Sequence, residues 1–276
     1  MNETVKAKST KQAKGKISAG FASVAIPLIF IAGYCIYLFV LGNPTNFEGN
    51  NVANNAKSGN FLGIIYKGGI AIVPILISVL MMVLTFCIER FITINKAKGK
   101  GKVNSFIAKV HSYLSADDIE SAKKACDVQQ GSVANVVKAG LEKYQEMVLE
   151  KGLNRDQKTV AIKQEFEEAT SLELPMLEQN LVILATISSI ATLFGLLGTV
   201  IGMIRAFSSM AHAGAPDAVG LANGISEALI NTALGIGTSA IAIVSYNFFT
   251  TQIDKMTYAI DEAGISIVQN FVAHHS

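Results

Sequence analysis

The sequence predicts an all-α polytopic membrane protein whose long transmembrane helices extend into a helical cytoplasmic domain. Half of the 276 residues are hydrophobic, only 16% are charged, and the mean hydropathy is +0.40. Four apolar runs each reach the roughly 20 residues that a bilayer crossing requires. Residues 103–178, between the second and third runs, show no strand-like alternation. This combination is too apolar for an ordinary soluble domain.

The four apolar runs are nearly free of charge. The run from Phe21 to Leu41 and the run from Gly68 to Ile88 contain no charged residue. The run from Gln179 to Ile204 contains none either, and the run from Ala218 to Ile253 contains only Glu227. We therefore predict four transmembrane helices, which lie at residues 21–41, 68–89, 179–210 and 220–250.

Basic residues set the predicted orientation, because short loops rich in Lys and Arg remain in the cytoplasm. Five lysines precede the first run, and five basic residues follow the second. The loop between the first and second runs contains two lysines. The loop between the third and fourth runs contains no Lys or Arg. The prediction places a basic N-terminus (1–20), a helical domain (90–178) and a helical tail (251–276) inside, and a linker (42–67) and a short loop (211–219) outside.

The first apolar run has two interpretations, a cleaved signal peptide or an uncleaved signal anchor. It is longer than the apolar core of about 7–15 residues that signal peptides carry, and Leu41-Gly-Asn-Pro is a poor cleavage site. We therefore favour the signal anchor. The Asn-rich segment 49–59 that follows is predicted to be a plain polar spacer.

Caps and breaks divide the predicted cytoplasmic domain into helices. The segment 129–131 is predicted to break the chain, and Ser132 is predicted to cap the helix that follows. Asn154 is predicted to cap a helix that runs on into the third span, with a kink at Pro175. The fourth span is predicted to continue as one helix towards Phe271.

Nothing in the sequence indicates catalysis. The three cysteines are scattered, and the four histidines do not cluster with acids or cysteines. No Ser-His-Asp set, phosphate-binding loop or paired-cysteine motif is present. We therefore predict that the protein is not an enzyme and that it uses no metal or other cofactor.

Three of the polar residues inside the predicted spans are candidates for a functional role. Thr199 and Thr232 are each 11 residues from the outer end of their helix, or about 16 Å deep, and Glu227 is about 9 Å deep. A threonine can bond its own helix, so each threonine is either structural or part of a transport path. A carboxylate in a span costs about 2.5–3.5 kcal/mol and must face protein or water.

The same two interpretations apply to Glu227, which has either a structural or a transport-linked role. In the structural interpretation it is protonated, and Asn231, one turn away, is its partner. Arg205 lies near the outer end of the third span and is predicted to extend to the interface rather than line a path. The Glu89-Arg90 pair is predicted to be an interfacial anchor at the inner end of the second span.

Small residues form a stripe on each of the last two spans. The stripes consist of Gly195, Gly198, Gly202 and Ala206 in the third span, and of Gly224, Ala228, Thr232, Gly235, Ser239 and Ala242 in the fourth. Spacings of three and four residues place each stripe on one helix face, where small residues let backbones approach closely. The stripes have two possible roles: to pack helices of the same chain, or to form a smooth wall against a helix of another protein.

These segments carry a family resemblance. The third span contains Gly195-Leu-Leu-Gly-Thr-Val-Ile-Gly-Met203, and the fourth contains Ile225-Ser-Glu-Ala-Leu-Ile-Asn-Thr-Ala-Leu-Gly235 followed by Ser245-Tyr-Asn247. They resemble the MotA/TolQ/ExbB proton-channel family, and its ExbB branch most closely. The match is specific over residues 181–250 and looser over the second span, the cytoplasmic domain and the tail. The first span is a departure from the family's short pattern.

The resemblance implies a pentamer in the bacterial inner membrane whose pore houses the single transmembrane helices of an ExbD-like partner. The partner's aspartate carries the proton, and the work reaches a TonB-like protein and its outer-membrane transporters. Thr199 and Thr232 match the family's pore-facing threonines, and Glu227 matches its membrane glutamate. The stripe residues, with Asn231, are expected to pack helices or form the pore wall.

The expected function is therefore an energy-transducing stator subunit. Within the family, a TolQ-like role in envelope constriction or a MotA-like role in motility is the alternative. A secondary transporter would need internal repeats and broken helices, and no convincing repeat relates the four spans. A structural membrane scaffold is the remaining alternative, and it predicts that the threonines and Glu227 tolerate apolar substitution.

Overall fold

The structure is a computed structural model that describes residues 21–211 and 217–275. The predicted basic N-terminus (1–20) and most of the predicted loop 211–219 lie outside the described residues. Within them the chain is helical, and its β pairing is confined to one isolated bridge between Phe47 and Ala56. The predicted all-α fold is confirmed.

Nine α-helices follow one another along the described residues. They are α1 (21–35, continued by a π-helical turn at Ile36–Leu41), α2 (Phe61–Tyr66), α3 (Val73–Lys98), α4 (Val103–Ser115), α5 (Ile119–Gln129), α6 (Gly131–Leu149), α7 (Arg155–Glu178), α8 (Leu181–Met210) and α9 (Ala218–His274). Four stretches are long and apolar enough to cross a membrane: Phe21–Leu41, Val73–Ser115, Arg155–Met210 and Ala218–His274. The predicted continuation of the fourth span as one helix towards Phe271 is confirmed, and the helix ends at His274.

The chain divides into two compact units, and three of its helices run through both. The first unit comprises the chain up to Cys87 together with Val182–Tyr246. The second comprises Ile88–Leu181 together with the chain from Asn247 onwards. Each unit has its own buried core.

In the first unit, glycines bring α8 and α9 into backbone contact. A Cβ atom added to Gly235 would lie 2.6 Å from the Ala191 carbonyl oxygen and 2.7 Å from the Gly195 Cα atom. A Cβ atom added to Gly202 would lie 2.7 Å from the Ala228 nitrogen. No side chain larger than hydrogen fits these positions unless a backbone moves. The small residues of both helices therefore set the distance between them.

We expect Gly235→Ala to lower the melting temperature of the purified protein, whereas Gly237→Ala leaves it unchanged or raises it slightly. The first methyl group meets backbone atoms, and such overpacking costs about 1–3 kcal/mol. The second has no atom within 4 Å and replaces glycine by a better helix former. Thermal unfolding in detergent measures both variants. Equal shifts for the two would contradict the packing assigned to Gly235.

The linker 42–67, whose Asn-rich part was expected to be a plain spacer, is folded. The Asn46 amide donates hydrogen bonds to the carbonyls of Val40 and Leu41, at 2.9 and 3.0 Å. The Phe47 side chain is fully buried. Asparagine side chains here bond the backbone and replace the hydrogen bonds that a regular element would supply. The role of the Asn-rich segment 49–59 as a plain spacer stays a prediction.

The second unit packs α4 to α7 with the C-terminal part of α9. Tyr144 of α6 is buried, and its hydroxyl donates to Asn270 Oδ1 at 2.8 Å. The Asn270 amide in turn donates to the Leu114 carbonyl at 2.7 Å. Asn154 caps α7 as predicted, because its side chain accepts from the Gln157 N–H at 2.8 Å while Gln157 bonds back.

The predicted cap at Ser132 was wrong. Helix α6 begins one residue earlier, at Gly131, with Gln130 in the capping position and no side-chain cap. Gly131 has a φ of +84°, and a Cβ atom there would lie 2.4 Å from the Ala97 carbonyl oxygen. The predicted break at 129–131 is therefore a tight turn held against the end of α3, and this contact fixes the start of α6.

Pro175 lies inside α7 without ending it, and a kink there stays a prediction. The break comes at Asn180, whose φ of +66° separates α7 from α8. Asparagine tolerates this left-handed conformation better than most residues. The Asn180 amide donates to Glu89 Oε2 at 3.3 Å, which ties the break to α3.

The Glu89-Arg90 pair, whose role as an interfacial anchor stays a prediction, is packed within the second unit. The Arg90 side chain is only 1% exposed and forms an ion pair with Glu89. Its guanidinium also donates to the Leu177 carbonyl at 3.1 Å. A buried guanidinium needs such partners, because an unpaired buried charge is costly. The pair therefore joins α3 to the end of α7.

Candidate functional site

An ion pair lies at the centre of the candidate site in the first unit. Arg205 of α8 donates from Nη1 to both carboxylate oxygens of Glu227 on α9, at 2.6 and 2.8 Å. Glu227 is 7% exposed, whereas the Arg205 side chain is half exposed. The carboxylate therefore faces protein, as its depth in the span requires, and the arginine compensates its charge.

The turn between α2 and α3 closes over this ion pair. Gly69 has a φ of +99°, which side-chain-bearing residues rarely adopt. A Cβ atom added to it would lie 2.3 Å from Glu227 Oε1 and 3.3 Å from Arg205 Nη1. Only a glycine lets the backbone of this turn lie directly against the carboxylate.

Asn231 holds the same turn from α9. Its side chain is fully buried, and its amide donates to the Gly68 carbonyl at 2.8 Å. Gly198 of α8 lies beside it, since a Cβ atom there would be 2.3 Å from Asn231 Cβ. Glu227 and Asn231, one helical turn apart, thus bind adjacent residues of one turn.

The predicted partner of Glu227 was wrong. Asn231 bonds Gly68 rather than Glu227, and Arg205 occupies the carboxylate instead. The Arg205 guanidinium turns towards α9, and its position at the membrane interface stays a prediction. The pairing depends on how α8 and α9 are rotated about their axes, which spacing along one helix does not define.

Thr199 and Thr232 each bond their own helix. Thr199 Oγ1 donates to the Leu196 carbonyl at 2.6 Å, and Thr232 Oγ1 donates to the Ala228 carbonyl at 3.0 Å. Both side chains are half-buried. In the described part of the chain, no hydrogen bond joins either threonine to Glu227 or to the other threonine.

Thr199 lies on an open apolar groove of α8. The groove has a volume of about 520 Å³ and is lined by Thr199, Val200, Met203, Ile204 and Phe207. Its hydroxyl is the one polar side-chain group among these five residues. The face of α8 that carries Thr199 is therefore available to another helix or to lipid, unlike the glycine face.

The stripe residues contact the neighbouring helix of the same chain. Gly195 lies against Gly235, and Gly202 lies against Ala228. Gly198 lies against Asn231. Packing between α8 and α9 accounts for these five glycine and alanine positions and for Asn231. A pore wall that faces a partner helix would therefore have to be formed by other residues.

Sequence reasoning missed Gly68 and Gly69 as site residues. The signal that could have found them is a glycine pair directly before a long apolar run, where a helix-starting turn is expected. The contact of this glycine pair with Glu227 and Asn231 joins residues about 160 positions apart in the chain. Such a long-range contact becomes visible only in the folded unit.

The described residues of the second unit hold neither a metal-binding cluster nor a reactive thiol. No group of three or more His, Cys, Asp or Glu side chains is placed to hold a metal ion within the ranges 21–211 and 217–275. Cys126 is buried, and burial raises the pKa of its thiol to about 12. A thiol with such a pKa is protonated near neutral pH and is a weak nucleophile.

Comparison with known proteins identifies a family whose model matches part of this chain. Residues 129–262 match the model of the MotA/TolQ/ExbB proton channel family. The matched range includes the ion pair and both threonines, while α1 to α3 and the Gly68–Gly69 turn lie before it. The resemblance seen in the sequence is thereby confirmed.

Three relatives are informative. A biopolymer transport protein ExbB-like 3 from Synechocystis sp. is 40% identical over 85 residues, which are 30% of this chain and 40% of the relative. The Tol-Pal system protein TolQ of Pseudomonas aeruginosa is 30% identical over 124 residues, 45% of this chain and 54% of the relative. The biopolymer transport protein ExbB of Salmonella typhimurium is 34% identical over 85 residues, 31% of this chain and 35% of the relative. The chain thus spans about half or less of these relatives' lengths.

Proposed function

We propose that this membrane protein, whose residues 129–262 match the MotA/TolQ/ExbB proton channel family, is a stator subunit that works in the bacterial inner membrane. With an ExbD-like single-span partner it uses the proton motive force to energise TonB-dependent transport across the outer membrane. In this proposal the chain forms a pentamer with both termini in the cytoplasm, and the partner's helix lies inside the ring.

One observation carries the proposal: the four apolar runs contain a single carboxylate, and it is already paired. Glu227 is the only acidic residue in the four apolar runs. Arg205 occupies both of its oxygens. A proton carrier near the middle of the membrane needs a group that gains and loses a proton, so the acid that carries it comes from a partner helix.

In this proposal the hydroxyl groups of Thr199 and Thr232 form hydrogen bonds with the partner's acid. Thr199 sits on an open apolar face of α8, and Thr232 sits half-buried on α9. A hydroxyl group donates and accepts a hydrogen bond and so relays a proton without carrying charge. One proton that crosses the membrane gains about 2.3 kcal/mol per 100 mV, so a few protons are enough to move a partner helix.

We expect Thr199→Val and Thr232→Val to insert and fold normally but to reduce partner-dependent uptake of an iron complex by more than about tenfold. Valine keeps the shape of threonine, and each hydroxyl bonds only its own helix, so the fold loses little. Thr186→Val is the matched control, because Thr186 is exposed on α8 and also bonds its own helix. Normal uptake in both threonine variants would reject these site residues.

A TolQ-like role is the second candidate. The longest of the three alignments joins this chain to a TolQ protein. In this alternative the same proton path drives envelope constriction instead of nutrient uptake. A knockout strain that takes up iron complexes normally but divides with delayed constriction would select the TolQ-like role.

A further inference from the structure

Helix α1 is packed into the first unit along its length. A Cβ atom added to Gly33 would lie 2.1 Å from Ser78 Oγ and 3.1 Å from Ser78 Cα, so α1 and α3 approach closely there. The rings of Phe21 and Phe86 meet edge to face with centroids 6.3 Å apart. The helix is therefore an integral part of this unit.

The C-terminal end of the first membrane segment and the start of its linker pack around Tyr66. Tyr37, in the π-helical turn, is 2% exposed, and its ring stacks on that of Tyr66 with centroids 4.6 Å apart. The Phe47 ring meets Tyr66 from another side at 5.4 Å. A Cβ atom added to Gly42 would lie 2.8 Å from the Tyr66 ring. Tyr66 is thus enclosed by residues of the first membrane segment and its linker.

The Tyr66 carbonyl connects this aromatic cluster to the glycine turn. It accepts a hydrogen bond from the Tyr37 hydroxyl at 3.3 Å and another from the Gly69 N–H at 3.3 Å. Gly69 lies against the Glu227 carboxylate, and Gly68 accepts from Asn231. A continuous set of contacts therefore leads from Tyr37 to Glu227.

We propose that the first membrane helix is a brace that positions Glu227, with Tyr37 acting through the Tyr66 carbonyl and the Gly69 turn. Every contact of the brace before Glu227 is made by residues that precede the matched family range 129–262. The site therefore depends on an element outside the family domain. The geometric part of this proposal stands by itself, and its effect on transport rests on the proposed function.

Three variants of the full-length chain test the brace. Tyr37→Ala removes the ring and the hydroxyl, and Tyr37→Phe removes only the hydroxyl. Tyr34→Ala is the control, because Tyr34 lies on the same helix with 47% of its side chain exposed. Hydrogen exchange reports the opening of residues 61–72. Infrared difference spectra against Glu227→Gln report the carboxylate band of Glu227.

We expect Tyr37→Phe to speed exchange in residues 61–72 by roughly threefold to tenfold, the equivalent of one lost hydrogen bond. Tyr37→Ala should speed it further and shift the Glu227 band, while exchange in residues 131–149 of the second unit stays unchanged. A general loss of stability would also raise exchange in that unit. Tyr34→Ala should change neither readout.

Two results separate the outcomes. An unchanged Glu227 band in Tyr37→Ala, or equal effects of Tyr37→Ala and Tyr34→Ala, would overturn the brace. A shifted band with undiminished iron-complex uptake would support the brace and show that transport does not depend on how Glu227 is positioned. The two proposals therefore fail in different measurements.

Discussion

Gly69→Ala is expected to abolish partner-dependent uptake and to destabilise the protein by several kcal/mol. The backbone conformation alone, with a φ of +99°, costs a side-chain-bearing residue about 1–3 kcal/mol. The added methyl group would also lie 2.3 Å from Glu227 Oε1, so the carboxylate or the turn must move. Thermal unfolding in detergent and iron-complex uptake measure the two effects.

Gly59→Ala separates strain from crowding. Gly59 has a similar φ of +78°, but a methyl group there has no atom within 4 Å. It should therefore show the strain without any displacement of Glu227, and uptake should stay close to normal. If Gly59→Ala and Gly69→Ala lower uptake equally, the contact between Gly69 and Glu227 has no functional weight.

Arg205→Met should destabilise the protein by about 2–3 kcal/mol, because it leaves the buried Glu227 carboxylate without its partner. Breaking a fully buried ion pair costs about 3–5 kcal/mol. Half of the Arg205 side chain is exposed, and we reduce the expected cost accordingly. Arg205→Lys should recover much of the loss, since a single nitrogen of Arg205 makes both contacts.

A double-mutant cycle with Glu227→Gln isolates the ion pair. The double variant Arg205→Met/Glu227→Gln no longer buries an unpaired charge, so it should be more stable than Arg205→Met alone. The free energy of unfolding is measured for all four proteins in one detergent. Additive effects of the two substitutions would show that Arg205 and Glu227 do not act as a pair.

The sequence was sufficient for the features that depend on local pattern. The four apolar runs, the long α9, the Asn154 cap and the small faces of α8 and α9 all follow from composition and spacing within one segment. Family membership followed from two motifs in α8 and α9, and the family match includes both. These features need no knowledge of how distant segments meet.

The features that depend on distant contacts could not be predicted. Arg205 pairs with Glu227 because two helices are rotated towards each other, and spacing within α8 is silent about that rotation. The helix is interrupted at Asn180 rather than at Pro175, and the Asn180 side chain bonds Glu89 on another helix. Gly69 is explained only by the carboxylate lying against it. In each case the deciding partner is far away in the sequence.

Proton flux in liposomes tests the central claim most directly, namely that the only carboxylate of the four apolar runs is engaged and that a partner supplies the acid that moves protons. The chain is reconstituted alone and with its ExbD-like partner, and a pH-sensitive dye reports flux under an imposed potential. The account predicts flux only with the partner, and loss of that flux in Thr232→Val. Equal flux from the chain alone would contradict it.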